Sequence, residues 1–183
     1  MTEDEKNTFL QNEPQAEKYI HPYMMGKDFI ARKSRYCLWL KDILPSELKK
    51  YPKIMERVKN VREFRLSCPS PDTNHYADKP TFPVRLRYYS EDRINPALAL
   101  PKVSSQNRRY IPMEVIDADV IAGSKLFLIP DISLYHFGVL TSNVHMAWMR
   151  TVCGRLKSDY SYASNVVYNL SLIHISEPTR RRG

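Results

Sequence analysis

From Ile132 to Met149 no residue carries a formal charge, and this run gives way at once to Arg150, Arg155, Lys157, Tyr160 and Tyr162. A segment of that length and apolarity has to be covered, either by the rest of a protein core or by lipid. Ser133, His136, Thr141, Ser142, Asn143 and His145 decide between the two, because so many polar side chains are costly in a hydrocarbon phase. The expectation is one long amphipathic helix packed in a core, with no membrane partner. Its C-terminal end would then deliver a basic, tyrosine-rich loop to a surface. Arg and Lys attract phosphates, and Tyr can bond to phosphate or stack on bases.

The 183 residues are 43% hydrophobic and 26% charged, which suits one ordinary folded domain and excludes a disordered tail. The formal charge of +8 favours an acidic partner. Part of it comes from the end of the chain. Leu170 to Arg180 reads LSLIHISEPTR, the in-frame translation of a transposase-adapter sequence used in preparing DNA libraries, so residues 170–183 are expected to be non-native. Arg180, Arg181 and Arg182 against Glu177 supply +2 of the total, which leaves +6 on Met1–Asn169. The basic bias survives.

Three cysteines, Cys37, Cys68 and Cys153, lie far apart without CxxC pairs or histidines at ligand spacing. Neither a disulfide framework nor a zinc module is indicated, and free thiols of a reducing cytoplasm are expected. The opening MTEDEKNTFLQNEP has no basic region followed by an apolar one, so no secretory signal is read there.

Helix and strand signals are mixed along the chain. Thr2 can cap a helix to Leu10, Pro14 can open a short one to Ile20, and Pro45 opens another. Pro52 opens a longer helix to about Leu66, with Ile54, Val58, Val61 and Phe64 or Arg65 on the core side. Lys53, Arg57, Lys59 and Arg62 occupy its other side, and a solvated charged face is the better reading of them. Strands are expected at Arg35–Leu40, Val84–Tyr88, Ala97–Val103, Tyr110–Ile116, Lys125–Pro130 and Val166–Tyr168, with an irregular connection from Cys68 to Pro83. The fold class that follows is α+β, a mixed or antiparallel sheet of several short strands flanked by helices, around a single core.

Five glycines, none grouped, leave no room for a phosphate-cradling loop or a dinucleotide fingerprint, so neither a cofactor site nor a metal site is expected in this chain. His136 and His145 lack the glutamate and spacing of a zinc hydrolase, and packing histidines explain them. What remains is two basic patches. Lys102, Ser104, Ser105, Gln106, Asn107, Arg108 and Arg109 combine cations, hydroxyls and amides in one loop. Arg pairs bidentately with guanine and Asn or Gln with adenine, so such a loop can read bases as well as hold the backbone. Arg150, Arg155, Lys157, Tyr160 and Tyr162 form the second patch, although cations also suit a helix C-terminus for its dipole alone.

RYCLWL, PSELKKYPKIMERVKNVREFRLS, ALPKVSSQNRRYIP and LYHFGVLTSNVHMAWMRTVCGRLKSDYSYASNVVYN, in that order, resemble successive blocks of the target recognition domain of MmeI-like, single-chain type IIG restriction-modification enzymes. The resemblance covers residues 2–169. It implies a domain, cut short at both ends, that lies on double-stranded DNA and selects the site. Adenine-N6 methylation, S-adenosylmethionine binding and, where the parent cleaves DNA, Mg2+ then belong to other parts of the same polypeptide, whose methyltransferase domain is the second implied partner. The target adenine would be flipped out into that domain. This chain lacks the methyl-donor and catalytic motifs. A second reading makes it a docking scaffold between methyltransferase and nuclease, with its patches merely solvated. The two differ in one observable: whether the patches meet on one surface or disperse.

Overall fold

The computed structural model describes residues 1–84 and 95–171. Helices and short antiparallel sheets are combined, so the fold is α+β as expected. The buried side chains form two compact units rather than the single core that the composition suggested. Residues 1–24, 33–84 and 119–121 belong to one, and residues 25–32, 95–118 and 122–171 to the other. The chain alternates between the units, so no polar linker marks a boundary in the sequence.

The first unit starts with α1 (Glu3–Asn12), where Thr2 and Glu5 form a reciprocal capping box. A 3-10 turn (Pro14–Tyr19) leads into β1 (Ile20–Met24), which pairs antiparallel with β2 (Arg35–Leu38) in the register Ile20↔Leu38 to Tyr23↔Arg35. The helix α3 (Pro45–Leu48) and the longer α4 (Pro52–Ser67) each open on proline, whose fixed φ suits the first turn. The α4 N-terminus is capped from a distance, because the nearly buried Glu13 carboxylate accepts the amides of Lys53 and Ile54. Phe9, Ala16, Leu40, Tyr51 and Ile54 form the core.

The inward face of α4 differs from the periodic reading. Ile54 is fully buried, but Val61 and Phe64 are exposed and Arg65 is buried in their place. Its guanidinium donates to the carbonyls of Tyr76 (2.9 Å), Lys79 (2.8 Å) and Phe82 (2.7 Å). The connection after Cys68, which includes the short helix α5 (Pro71–Asn74), is thereby folded around one side chain. Burying the guanidinium lowers its pKa, a tolerable cost because three carbonyl dipoles replace water. Lys53, Lys59 and Arg62 are exposed and paired with Glu56, Glu63 and Asp78, so the solvated-face reading of that side holds.

The second unit contains α2 (Gly26–Ala31) and a sheet of order β5-β3-β7, with β3 (Ala97–Pro101) in the centre and buried throughout. Its neighbours are β5 (Glu114–Ile116), shorter than the expected Tyr110–Ile116, and β7 (Leu126–Pro130). A two-residue strand, β6 (Ile121–Ala122), precedes β7. The strand expected at Val84–Tyr88 falls outside the described residues except for its first.

The uncharged run is two helices, not one: α6 (Leu134–Leu140) and α7 (Asn143–Val152). Its serines explain the break. Ser133 caps α6, and Ser142 accepts the His145 amide at 3.1 Å to start α7 afresh. Thr141 ends α6 by donating to the Phe137 carbonyl at 2.8 Å. Two short strands missed in the sequence, β8 (Gly154–Leu156) and β9 (Asp159–Ser161), follow as a hairpin. Ser164–Tyr168 is a π-helical turn instead of the expected last strand. Leu100, Ile111, Met146, Met149, Tyr160, Tyr162 and Val167 form the core of this unit.

Candidate nucleic-acid interface

All residues of both basic patches lie in the second unit, and one small sheet joins them. The order is β4-β9-β8, where β4 (Val103–Ser104) comes from the first patch and the β8–β9 hairpin from the second. Ser104 stands opposite Tyr160, which in turn stands opposite Arg155. The Tyr162 amide donates to the Lys102 carbonyl at 2.8 Å. Side chains close the gap further: Arg155 Nη1 donates to Gln106 Oε1 at 3.4 Å, and Arg150 Nη2 donates to the Arg109 carbonyl at 2.7 Å. Segments more than forty positions apart in sequence thus share one surface.

The exposed members are Gln106, Asn107, Arg108, Arg109, Arg150, Arg155 and Lys157. Among the described residues no carboxylate lies within ion-pairing distance of any of these five cations. In the first unit, by contrast, Lys6, Lys18, Lys53, Lys59 and Arg62 have carboxylate partners. Packing uncompensated cations together costs free energy through mutual repulsion, which an external polyanion would relieve.

The turn that carries the first patch is shaped by Ser105. The Arg108 amide donates to its carbonyl at 3.1 Å, and its hydroxyl accepts the Asn107 amide at 3.3 Å, the bonding of a serine-initiated β-turn. Ser105 therefore presents Gln106 and Asn107. Lys102 is half-buried, its ammonium 4.8 Å from the centre of the Phe127 ring, below the exposed tip of the turn. At the other tip, Lys157 adopts the left-handed conformation, φ 56°, in the two-residue connection between β8 and β9.

Three predicted contact residues are placed elsewhere. Ser104, Tyr160 and Tyr162 are 3%, 8% and 3% exposed, which removes them from direct contact with a large ligand. The alternation of β9 and its extension explains the tyrosines, since Tyr160 and Tyr162 point to one side and both pack with Met146 and Met149. The Tyr162 hydroxyl lies 3.2 Å from His145 Nε2. Burial raises the tyrosine pKa and lowers that of the histidine, so a neutral phenol meets a neutral imidazole. His145 is thus a packing histidine, and His136 serves the Ser133 cap, its Nδ1 2.7 Å from Oγ. Asn143, read in the sequence only as one of the polar interruptions of the uncharged run, accepts the Tyr110 hydroxyl on its Oδ1 at 2.8 Å and ties α7 to the end of the first patch. No residue pattern around Asn143 announces that pairing.

No group of His, Cys, Asp and Glu among the described residues could hold a metal ion, and all three cysteines are free and half-buried. No described helix is long and apolar enough to cross a membrane.

An α+β module that gathers exposed Arg108, Arg109, Arg150, Arg155 and Lys157 with exposed amides around one small sheet belongs to the class of polyanion-binding domains. The family model described as MmeI, target recognition domain, matches residues 1–171, and the chain belongs to that family. DNA methyltransferase A of Bacillus subtilis (strain 168) is 35% identical over 156 residues, covering 85% of this chain and 17% of that protein. A solved structure of the Type IIL restriction-modification enzyme MmeI in complex with DNA matches at 38% identity with a TM-score of 0.84, covering 92% of this chain and 22% of that one. The chain spans about a fifth of the length of these relatives.

Proposed function

We propose that this chain reads the sequence of double-stranded DNA on behalf of a site-specific DNA adenine-N6 methyltransferase of a restriction-modification system, working in the cytoplasm. One observation carries the reading: two distant segments, each basic, are laced into a single surface on which Arg108, Arg109, Arg150, Arg155 and Lys157 stand exposed together. Membership of the target recognition family supports it, as does the DNA held by the solved relative.

In this reading Arg108, Arg109, Arg150, Arg155 and Lys157 meet phosphates or guanine edges, and Gln106 and Asn107 supply amide donors and acceptors to base edges. Ser105 shapes the turn, while Ser104, Tyr160 and Tyr162 support the surface from beneath. Lys102 adds charge at the base of the turn. S-adenosylmethionine, and Mg2+ where the parent cleaves DNA, act in the methyltransferase and other modules of the parent polypeptide. The docking-scaffold alternative requires patches dispersed over the molecule, and they are not dispersed.

The test is titration of the full chain at low ionic strength against a labelled duplex DNA and a single-stranded RNA of equal length, read by fluorescence anisotropy. Duplex DNA is expected to bind, with affinity falling as salt rises. No binding of the duplex, or equal affinity for the RNA, refutes the proposal.

A further inference from the structure

Arg155 is fixed on three sides, unlike the other exposed cations of the surface. Its guanidinium carbon stands 4.1 Å from the centre of the Tyr160 ring, and Nη1 donates to the Ser158 carbonyl at 2.9 Å and to Gln106 Oε1 at 3.4 Å. Tyr160 is directly opposite in the β8–β9 register, and its ring is locked in the core with Met146 and Met149. Arg109 stands only at 5.2 Å from the Tyr110 ring, and Lys157 projects from a turn.

This arrangement fixes what Arg155 can offer. With Nη1 turned inward, Nε and Nη2 have no partner among the described residues, and their N–H bonds form the two-pronged edge of the guanidinium. That fork matches a pair of acceptors about as far apart as guanine N7 and O6, or two phosphate oxygens. An arginine free in solvent gives up roughly 2 kcal/mol of rotamer freedom when it docks, whereas one already stacked and bonded has surrendered much of it in folding.

We infer that Tyr160 and Gln106 are positioning residues that hold Arg155 ready to dock by its free edge onto an acceptor pair of duplex DNA, an inference that rests on the DNA-reading function above. Tyr160 contributes without touching DNA, since the ring lies under the guanidinium and in the core. Its effect on binding therefore passes through Arg155 and vanishes when Arg155 is absent.

The experiment is a double-mutant cycle on the full chain, with a fluorescein-labelled pool of duplexes of randomised sequence as the probe. Arg155→Met is expected to weaken binding about tenfold and Tyr160→Leu about three- to tenfold, while Tyr160→Phe, which keeps the ring, stays within about twofold of the wild type. The double variant Arg155→Met/Tyr160→Leu binds no more weakly than Arg155→Met alone. Losses that add, or equal damage from Tyr160→Phe and Tyr160→Leu, overturn the inference. Gln106→Ala runs the same cycle on an exposed residue and decides the matter if Tyr160→Leu melts early: its loss must be smaller in the Arg155→Met background than in the wild type, and an equal loss in both overturns the inference. Sequencing the bound DNA separates the two acceptor sources. Relaxed preference for G at one position in Arg155→Met assigns a guanine edge, and an unchanged profile with a salt slope lower by about one assigns phosphates. A wild-type chain that fails to hold the pool at low salt removes the DNA-reading function and this inference together, whereas binding with an additive cycle removes only the latter.

Discussion

Neutralising Arg109 gives the sharpest test of the surface as a whole. Each phosphate contact made by a cation steepens the dependence of log affinity on log salt by about 0.9. If Arg108, Arg109, Arg150, Arg155 and Lys157 all meet phosphates, the slope approaches about −4.5, and affinity falls about 500-fold between roughly 50 and 200 mM salt. Arg109→Gln should reduce the slope by about 0.9, so that the variant loses roughly 3.5-fold less affinity than the wild type over that range. The substitution is clean, because Arg150 bonds to the backbone carbonyl of Arg109 and not to its side chain. Lys59→Gln is the control: that lysine pairs with Glu63 on α4, and its removal should leave the slope unchanged. The assay is anisotropy with one duplex at several salt concentrations. A wild-type slope shallower than about −2, or a Lys59→Gln effect equal to that of Arg109→Gln, would refute the assignment of the cations to a common interface.

Three further outcomes are expected. Lys157→Gly relieves left-handed strain of roughly 1 kcal/mol, partly offset by the entropy of the unfolded chain, so thermal melting should hold or rise while the salt slope for duplex DNA falls by up to about 0.9. His145 is buried with its pKa lowered, so the unfolded state takes up its proton first: stability is complete above about pH 6.5 and declines as pH falls below it, by at most about 1.4 kcal/mol per pH unit. Denaturant titrations across pH should show that decline in the wild type and a shallower one in His145→Gln. Arg65→Met strands the carbonyls of Tyr76, Lys79 and Phe82 and should cost about 2–4 kcal/mol in denaturant unfolding; a loss under about 0.5 kcal/mol would mean that water replaces the guanidinium freely.

Local signals in the sequence were legible where one residue controls one event. Thr2, and the prolines at positions 14, 45 and 52, mark helix starts that the structure keeps. The exposed, cationic character of the two patches was also legible, because Gln106 to Arg109, Arg150, Arg155 and Lys157 stand at the surface as their composition suggested. What failed was of another kind. Ser142 looked like one polar position within a long helix, yet it caps a new one, a choice made by a hydrogen bond that competes with helix continuation. Phe64 and Arg65 could not be ranked from periodicity, since burial of Arg65 depends on carbonyls supplied by residues 76–82. Tyr160 and Tyr162 read as ligand contacts because composition cannot distinguish a tyrosine that stacks on a base from one that stacks beneath an arginine. Register settles that question, and register arises from pairing between strands far apart in sequence.

The β4-β9-β8 ribbon makes the charged surface hostage to alignment. Shifting β8 by a single place along β9 would set Leu156 opposite Tyr160 and turn Arg155 to the reverse side, while leaving every main-chain donor a fresh acceptor. An insertion or deletion of one residue at the Lys157 bend could thus swap a cation for an isobutyl group over that ring with little penalty to folding. Changes in the length of this bend, more than substitutions along its strands, are a short route by which relatives of this protein would acquire a different grip on their ligand.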